Sequence, residues 1–155
     1  QTRVLVSSIS EEDVRDFVRS SDVMIGSDGN SVAPHGTTGQ GKPHPRFYGT
    51  FARVLGKYSR DEEVLPLSRA VWKMTGASAR ALGLKDRGIL RKGYAADITI
   101  FDPVTIAETA TYEDPHSFAA GIDQVIVNGT TVLHDGEHTG ALAGKTLRRQ
   151  QDFAA

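Results

Sequence analysis

The chain has 155 residues, of which 39% are hydrophobic and 24% charged, and its formal net charge at pH 7 is −1. These proportions exclude general disorder and a fibrous repeat, and the balanced charge provides no broad basic field for nucleic acid or an anionic membrane. The chain has no cysteine, which excludes disulfides and thiolate metal ligands within it, and no apolar run approaches the roughly 20 residues that cross a bilayer. No signal peptide opens the chain, so a cytoplasmic protein is expected.

The first part of the chain is predicted to alternate strands and helices. Residues 3–9 and 23–26 are short, apolar and rich in β-branched side chains, as buried strands are. Between them, Ser10 and the acidic residues after it predict a helix start, and apolar residues recur at helical spacing over 11–20. Strand, helix and strand in this order form a βαβ unit, which favours a parallel sheet.

A long loop and further helices follow. Residues 30–45 are rich in Gly and Pro, and a loop of this length is usually functional or mobile. Apolar residues at helical spacing then predict helices over residues 46–58, 67–74 and 77–82. Residues 59–62 have the pattern of a capping box, and Gly83 is expected to end the last helix in a left-handed conformation.

The pattern changes near residue 84, beyond which the chain is predicted to be mostly β. Strands are expected over residues 96–101, 122–127 and 130–133. The Asn-Gly pair at 128–129 is a strong hairpin signal, and the Asp-Gly pair at 135–136 marks a further turn. No helical period of any length runs from 85 to 140, so an α/β part precedes a mostly β part.

The most informative position is Asp28, in Gly26-Ser27-Asp28-Gly29 at the carboxyl end of the second predicted strand. Functional sites in parallel sheets and barrels are built at that end. A carboxylate there can ligate a metal, or take a proton from attacking water and pass it to a leaving group. The alternative is an aspartate that caps an ordinary Asp-Gly turn.

A second candidate is Arg46, in His44-Pro45-Arg46 at the start of a predicted helix. Its guanidinium can clamp a carboxylate in bidentate fashion. The alternative is a surface arginine, but a cation at the positive end of a helix is unfavourable without an anion nearby. The residues alone therefore leave both an anion-binding role and a surface position open for Arg46.

The five histidines form no HxH or HExxH motif. His35 and His44 lie in the long loop, where each either contacts substrate or faces solvent. His116 is expected to be structural or exposed. His134 and His138 flank an Asp-Gly turn, which argues against the helical spacing of a metal-binding pair. This chain alone is not expected to supply a full set of metal ligands.

Four longer motifs occur along the chain in a definite order. They are VMIGSDG at 23–29, PHPRFYGTFARVLG at 43–56, GYAAD at 93–97 and VIVNG at 125–129. Together they resemble the C-terminal third of N-acyl-D-amino-acid deacylases, the D-aminoacylase branch of the amidohydrolase superfamily, over about residues 3–149. The last two motifs are shared widely across amidohydrolases, whereas the first two are much more specific to this branch.

The resemblance implies an α/β fold, with the last strands and helices of a distorted (β/α)₈ barrel and the C-terminal part of a small β-sandwich domain. The implied barrel part, sandwich part and tail are residues 1–84, 85–149 and 150–155. Asp28 falls on the catalytic aspartate that contacts the zinc site and shuttles the proton. Arg46 falls on the arginine that clasps the substrate carboxylate, and His44 belongs to the same substrate-binding motif without an assigned role.

The implied activity of the parent enzyme is zinc-dependent hydrolysis of N-acyl-D-amino acids to a carboxylate and a D-amino acid. Most metal ligands have no counterpart here, and a barrel needs roughly 200–250 residues. The chain is therefore expected to be an inactive C-terminal fragment whose Zn²⁺ site is completed by residues outside it. Its expected partners are the small-molecule substrate and a companion N-terminal segment or further copies of itself. The alternatives are a cyclic-amide amidohydrolase resembling D-hydantoinase or dihydroorotase, and a non-catalytic barrel remnant that associates with another chain.

Overall fold

Helices occupy the first part of the described chain and an antiparallel sheet the second. The structure, a computed structural model, describes residues 9–148. Its α-helices are α1 (Glu11–Arg19), α2 (Arg46–Arg53), α3 (Leu67–Met74) and α4 (Gly76–Ala81), α2 continues as a π-helical segment (Val54–Asp61), and the long loop holds one 3₁₀ turn (Thr37–Gly39). The strands β1 (Ile98–Phe101), β2 (Ile122–Val127), β3 (Thr130–His134) and β4 (Glu137–His138) form one sheet in the order β1-β2-β3-β4. No helix within residues 9–148 is long and apolar enough to span a bilayer.

Helix α1 begins where the sequence predicts. The Ser10 hydroxyl accepts a hydrogen bond from the Asp13 N–H at 3.1 Å, and the Asp13 carboxylate accepts one from the Ser10 N–H at 3.3 Å. This reciprocal pair satisfies two backbone donors that the helix itself leaves unpaired. Val18 buries the inner face of the helix in the core. The strand predicted over 3–9 lies, apart from its last residue, outside the described residues.

The second predicted strand and its parallel pairing are wrong for the described part of the chain. Residues 23–26 form no strand there, and every strand pair within residues 9–148 is antiparallel. The Ile25 N–H instead donates to the Lys73 carbonyl at 3.3 Å, so helix α3 accepts the bond that a neighbouring strand would take. A strand exists only with a hydrogen-bonded neighbour, and an apolar run does not reveal whether that neighbour is present.

The helix predicted over 46–58 continues further than expected, and the capping box predicted at 59–62 is wrong. The Glu62 N–H donates to the Lys57 carbonyl at 2.9 Å, a bond across five residues that ends the π-helical segment. A Cβ at Gly56 would lie 2.5 Å from the Ile106 carbonyl oxygen, so this segment lies directly against the connection between β1 and β2. Ser59 and the acidic residues after it therefore lie at the end of a helix and not at its start, because packing against the β1–β2 connection stabilises the preceding turns.

The core lies between the helices and the start of the β1–β2 connection. Helices α3 and α4 match their predicted positions, and Gly83 follows α4 with φ 71°, as expected of a left-handed cap. The buried apolar cluster draws on α1, α2, the π-helical segment, α3 and the β1–β2 connection, through Val18, Ala52, Val54, Leu55, Tyr58, Leu65, Ala70 and Ile106.

The sheet forms through the two predicted turns. Asn128 and Gly129 have φ angles of 48° and 81° and join β2 to β3, while Asp135 and Gly136, with φ angles of 50° and 79°, join β3 to β4. Positive φ at both central residues is the type I′ geometry that suits the twist of a hairpin. Strand β4 was not expected, because two residues are too few to show an alternating pattern.

An apolar cavity of about 650 Å³ separates the helices from one face of the sheet. Its lining includes Leu55, Met74, Ile98 and Val125. Leu82 and Leu90 also line this cavity, and their side chains remain largely exposed. An apolar surface of this kind marks a place where another part of a protein or a ligand packs.

Candidate functional site

Asp28 and Arg46, predicted from separate motifs, are in direct contact. The Arg46 Nη2 lies 2.8 Å from Oδ2 of Asp28, and the Arg46 Nε donates to the Asp28 carbonyl oxygen at 3.1 Å. The Asp28 side chain is 87% exposed and that of Arg46 40% exposed. Among residues 9–148 no hydrogen bond reaches Oδ1 of Asp28 or leaves Nη1 of Arg46. Each partner therefore keeps polar atoms available at the surface.

The backbone at Asp28 is held in an unusual conformation. Its φ is 50°, in the left-handed region that residues other than glycine seldom enter. The Gly29 N–H donates to the Ser27 hydroxyl at 3.1 Å, and a Cβ at Gly29 would lie 3.1 Å from the Phe47 Cα. The close approach of Gly29 to the first turn of α2 sets Asp28 beside Arg46. Such local strain is common at functional sites.

His44 is tied to the backbone of Arg46 and not to its guanidinium. The Arg46 N–H donates to the His44 Nδ1 at 3.0 Å. The His44 Nε2 lies 3.1 Å from the Tyr112 hydroxyl oxygen, and the two rings meet edge to face with centroids 5.1 Å apart. Partial burial, together with the charge of Arg46, holds the pKa of His44 below its usual value. His44 therefore joins the start of α2 to the β1–β2 connection.

A second histidine–tyrosine pair fixes the same two segments to each other. The Tyr48 hydroxyl lies 3.0 Å from the His116 Nδ1, and the His116 Nε2 lies 2.9 Å from the Gly41 carbonyl oxygen. The Lys42 ammonium donates to the Glu113 carbonyl at 2.8 Å. Together these contacts hold the loop before α2 against the β1–β2 connection.

Sequence reasoning missed these contacts between the loop before α2 and the β1–β2 connection. His116 was expected to be structural or exposed, and its ring does join two segments. Neither Tyr112 nor Tyr48 was singled out from the sequence. Both histidine–tyrosine pairs join residues 68 positions apart, and no local pattern signals a contact of that range.

A separate cluster of charges joins α1 to the last residue of α2 and to Glu62, which follows the π-helical segment. Arg53 pairs with Glu11 at 2.7 Å and also with Glu108, and Arg15 pairs with Glu62 at 2.8 Å. In each of these pairs a guanidinium neutralises a carboxylate, and none of the paired residues lines the apolar cavity. This cluster is therefore suited to holding the helices together and not to chemistry.

A metal at this site would need ligands from beyond the described residues. Within 9–148, no three His, Cys, Asp or Glu side chains lie together as a metal site requires. His134 lies 3.5 Å from Asp135, and the His138 Nδ1 accepts from the Gly140 N–H at 2.9 Å, so these two histidines are engaged in the hairpin turn and its exit. Asp28 has an exposed carboxylate oxygen, which is an ordinary zinc ligand, so it fits a metal as one ligand among several.

Comparison with known proteins places the chain among amidohydrolases. A profile described as the amidohydrolase family matches residues 22–133. The chain is 49% identical over 141 residues to the D-aminoacylase of Alcaligenes xylosoxydans xylosoxydans, an alignment that covers 91% of this chain and 28% of that protein.

Two kinds of solved structure resemble the fold. A crystal structure of D-aminoacylase matches with a TM-score of 0.83 and 48% identity over 91% of this chain. The N-acyl-D-glutamate deacylase of Bordetella bronchiseptica, solved with zinc and a phosphonate that mimics the tetrahedral intermediate of its reaction, matches with a TM-score of 0.73 and 36% identity over 88% of this chain. This chain spans about 28% of the length of each.

Proposed function

Because the chain belongs to the amidohydrolase family, we propose that it forms the C-terminal part of a zinc-dependent N-acyl-D-amino-acid deacylase. The contact between Asp28 and Arg46 is the observation that carries this proposal. In an N-acyl amino acid a single carbon separates the amide nitrogen from the carboxylate. The groups that bind the carboxylate and protonate the amide must therefore be neighbours, as a carboxylate and a guanidinium are at this surface.

Arg46 is proposed to bind the substrate carboxylate. Its guanidinium presents a fork of donors, and a carboxylate can accept two parallel hydrogen bonds from it. A substrate anion at Arg46 would share or replace the contact with the Asp28 carboxylate. Binding would then release the Asp28 carboxylate from this contact.

Asp28 is proposed to transfer the proton. It would accept a proton from the attacking water and return it to the departing nitrogen, so that neither a strong base nor an amide anion forms in solution. Zinc, when bound, polarises the carbonyl and lowers the pKa of water. His44 is proposed to act through the backbone of Arg46, which it contacts at 3.0 Å.

The proposed function is tested with the zinc-loaded full-length protein. We expect it to release free amino acid from N-acetyl-D-amino acids and to leave the L-enantiomers essentially unchanged. D-hydantoins are the matched comparison, since a hydantoin is a cyclic amide with no free carboxylate for Arg46. Faster turnover of the cyclic compounds than of the linear ones, or equal turnover of both enantiomers, would contradict the proposal in favour of another amidohydrolase.

The proposed fold of the whole protein follows from the same relationship. The chain would provide the last barrel elements in residues 1–84, part of a β-sandwich in 85–149 and a tail in 150–155. Three observations support this proposal. The chain covers only 28% of the D-aminoacylase that it matches, residues 23–26 form no strand, and the structure contains an apolar cavity. All three indicate packing partners that lie outside the described chain.

The isolated 155-residue chain is expected to show no amidase activity and to associate or bind a hydrophobic dye, because its apolar cavity and Leu90 remain uncovered. Size-exclusion chromatography and dye fluorescence measure this, with the full-length protein as the control. Co-expression with the upstream segment of the full-length protein is expected to reduce dye binding and restore turnover. A monodisperse monomer of the isolated chain that melts cooperatively would contradict the proposed fold.

A further inference from the structure

The two histidine–tyrosine pairs have opposite hydrogen-bond directions. In the first pair, the backbone N–H of Arg46 donates to His44 Nδ1, so Nδ1 carries no proton. A neutral imidazole then carries its proton on Nε2, and Nε2 must donate to the Tyr112 oxygen at 3.1 Å. The lowered pKa of His44 agrees with this neutral form.

In the second pair the donor and acceptor are exchanged. The Gly41 carbonyl is an acceptor only, so the His116 Nε2 at 2.9 Å must donate to it. His116 Nδ1 is then bare and accepts the Tyr48 hydroxyl proton at 3.0 Å. The hydroxyl proton of Tyr48 therefore already has an acceptor within the protein, His116 Nδ1.

The hydroxyl proton of Tyr112 is left without an acceptor among residues 9–148. Tyr112 is 56% exposed, so a ligand at the surface can reach this residue. The ring that donates to it, His44, also holds the backbone of Arg46, and this connects the hydroxyl to the proposed anion-binding residue. An O–H donor whose oxygen is already satisfied by a histidine is prepared for an acceptor on a ligand.

We propose that Tyr112 is a substrate-positioning residue that donates its hydroxyl proton to the carboxylate bound by Arg46, an inference that rests on the proposed deacylase function. A carboxylate has about four acceptor sites, so a guanidinium and a phenol can bind it together. An anionic acceptor also strengthens the bond, which a neutral ligand atom would not do to the same degree.

The inference is tested with Tyr112→Phe in the zinc-loaded full-length protein. The variant keeps the ring against His44 and loses only the hydroxyl. We expect KM for an N-acetyl-D-amino acid to rise about tenfold, as loss of a hydrogen bond to a charged group predicts, while kcat changes less than about threefold. For the corresponding carboxamide, which lacks the anion, the ratio of wild-type to variant kcat/KM is expected to stay near one.

Tyr48→Phe is the matched control. It removes the same group from the other pair, whose proton is used inside the fold. We expect it to lower the thermal midpoint without a change in KM that distinguishes the acid from the carboxamide. Equal losses for both substrates in Tyr112→Phe, or no change for either, would overturn the inference.

A readout that does not depend on turnover separates this inference from the proposed function. Nitrogen-15 NMR of labelled histidine in the full-length protein is expected to show His44 with bare Nδ1 and protonated Nε2, and a shifted Nε2 resonance in Tyr112→Phe. A proton on His44 Nδ1 would overturn the inference even in an active deacylase. If the wild-type protein does not hydrolyse N-acetyl-D-amino acids, calorimetric titration with the same compounds decides: tenfold weaker binding by Tyr112→Phe supports the contact, and equal binding overturns it.

Discussion

Replacing Asp28 with Asn in the zinc-loaded full-length protein is expected to lower kcat for N-acetyl-D-amino acids by about 10² to 10⁴-fold, the range that a lost general acid–base group gives. Asparagine has nearly the same shape, and the hydrogen bond from the Arg46 Nε to the backbone carbonyl of residue 28 does not depend on the side chain. It cannot take up a proton at neutral pH. The fold and KM are therefore expected to change little while the chemical step slows, as steady-state kinetics would show.

Asp135→Asn is the matched control for this variant. Asp135 also has φ 50°, precedes a glycine, and has a side chain that is 84% exposed. It differs from Asp28 in joining two strands of a hairpin and in having no arginine partner among the ion pairs of the described residues. If Asp28 only caps an Asp-Gly turn, both variants will keep wild-type turnover, and the proposed role of Asp28 will be wrong.

The second large effect is expected on stability, in Lys73→Met. The Lys73 side chain is 1% exposed, and its ammonium donates to the carbonyls of Val18 at 2.6 Å, Ser20 at 2.7 Å and Phe17 at 3.3 Å. These carbonyls lie at the end of α1, where the helix leaves its acceptors unpaired and a cation is favoured. Methionine fills a similar volume without donating.

Loss of this cap is expected to lower the free energy of unfolding by roughly 3 kcal/mol, because carbonyl groups are left buried without donors. Urea unfolding of the full-length protein measures it, followed by circular dichroism. Lys92→Met, at an exposed lysine in a turn, is the control and is expected to change the value by less than about 0.5 kcal/mol. Similar values for the two variants would show that the cap contributes little.

The difference in unfolding free energy between the wild type and Lys73→Met is expected to depend on pH in a definite direction. Burial, and secondarily the charge of Arg69, lowers the pKa of Lys73 in the folded protein below its usual 10.5. Between the folded pKa and 10.5 the unfolded chain binds more protons than the folded one, so this residue adds stability as the pH rises through that window. The wild-type advantage over Lys73→Met is therefore expected to widen toward alkaline pH, and a narrowing would contradict the assignment.

Sequence patterns predicted the features that depend on neighbouring residues. The cap of α1 follows from Ser10 and the acids after it, and the hairpins follow from their Asn-Gly and Asp-Gly pairs. Asp28 and Arg46 were also singled out from local signals, a predicted strand end and a proline-framed arginine, but the strand before Asp28 does not form. Their mutual contact at 2.8 Å was not contained in either signal.

Features that depend on distant parts of the chain were not predictable. The π-helical segment is set by the close approach of Gly56 to Ile106, which no capping pattern shows. Residues 23–26 have the composition of a strand, but a strand also needs a neighbour. Tyr112 carries no motif, and only its contact with His44 distinguishes it from the other tyrosines.

The way in which the two histidine–tyrosine pairs and Lys42 fasten the loop before α2 to the β1–β2 connection has a consequence for selectivity. Asp28 and Arg46 share one support, because Gly29 packs on the first turn of α2 and the loop before that turn is braced from the β1–β2 connection. Exchanging the β1–β2 connection between relatives is therefore expected to shift the two proposed site residues together. Such an exchange would offer a route to new side-chain preferences that keeps the contact between Asp28 and Arg46.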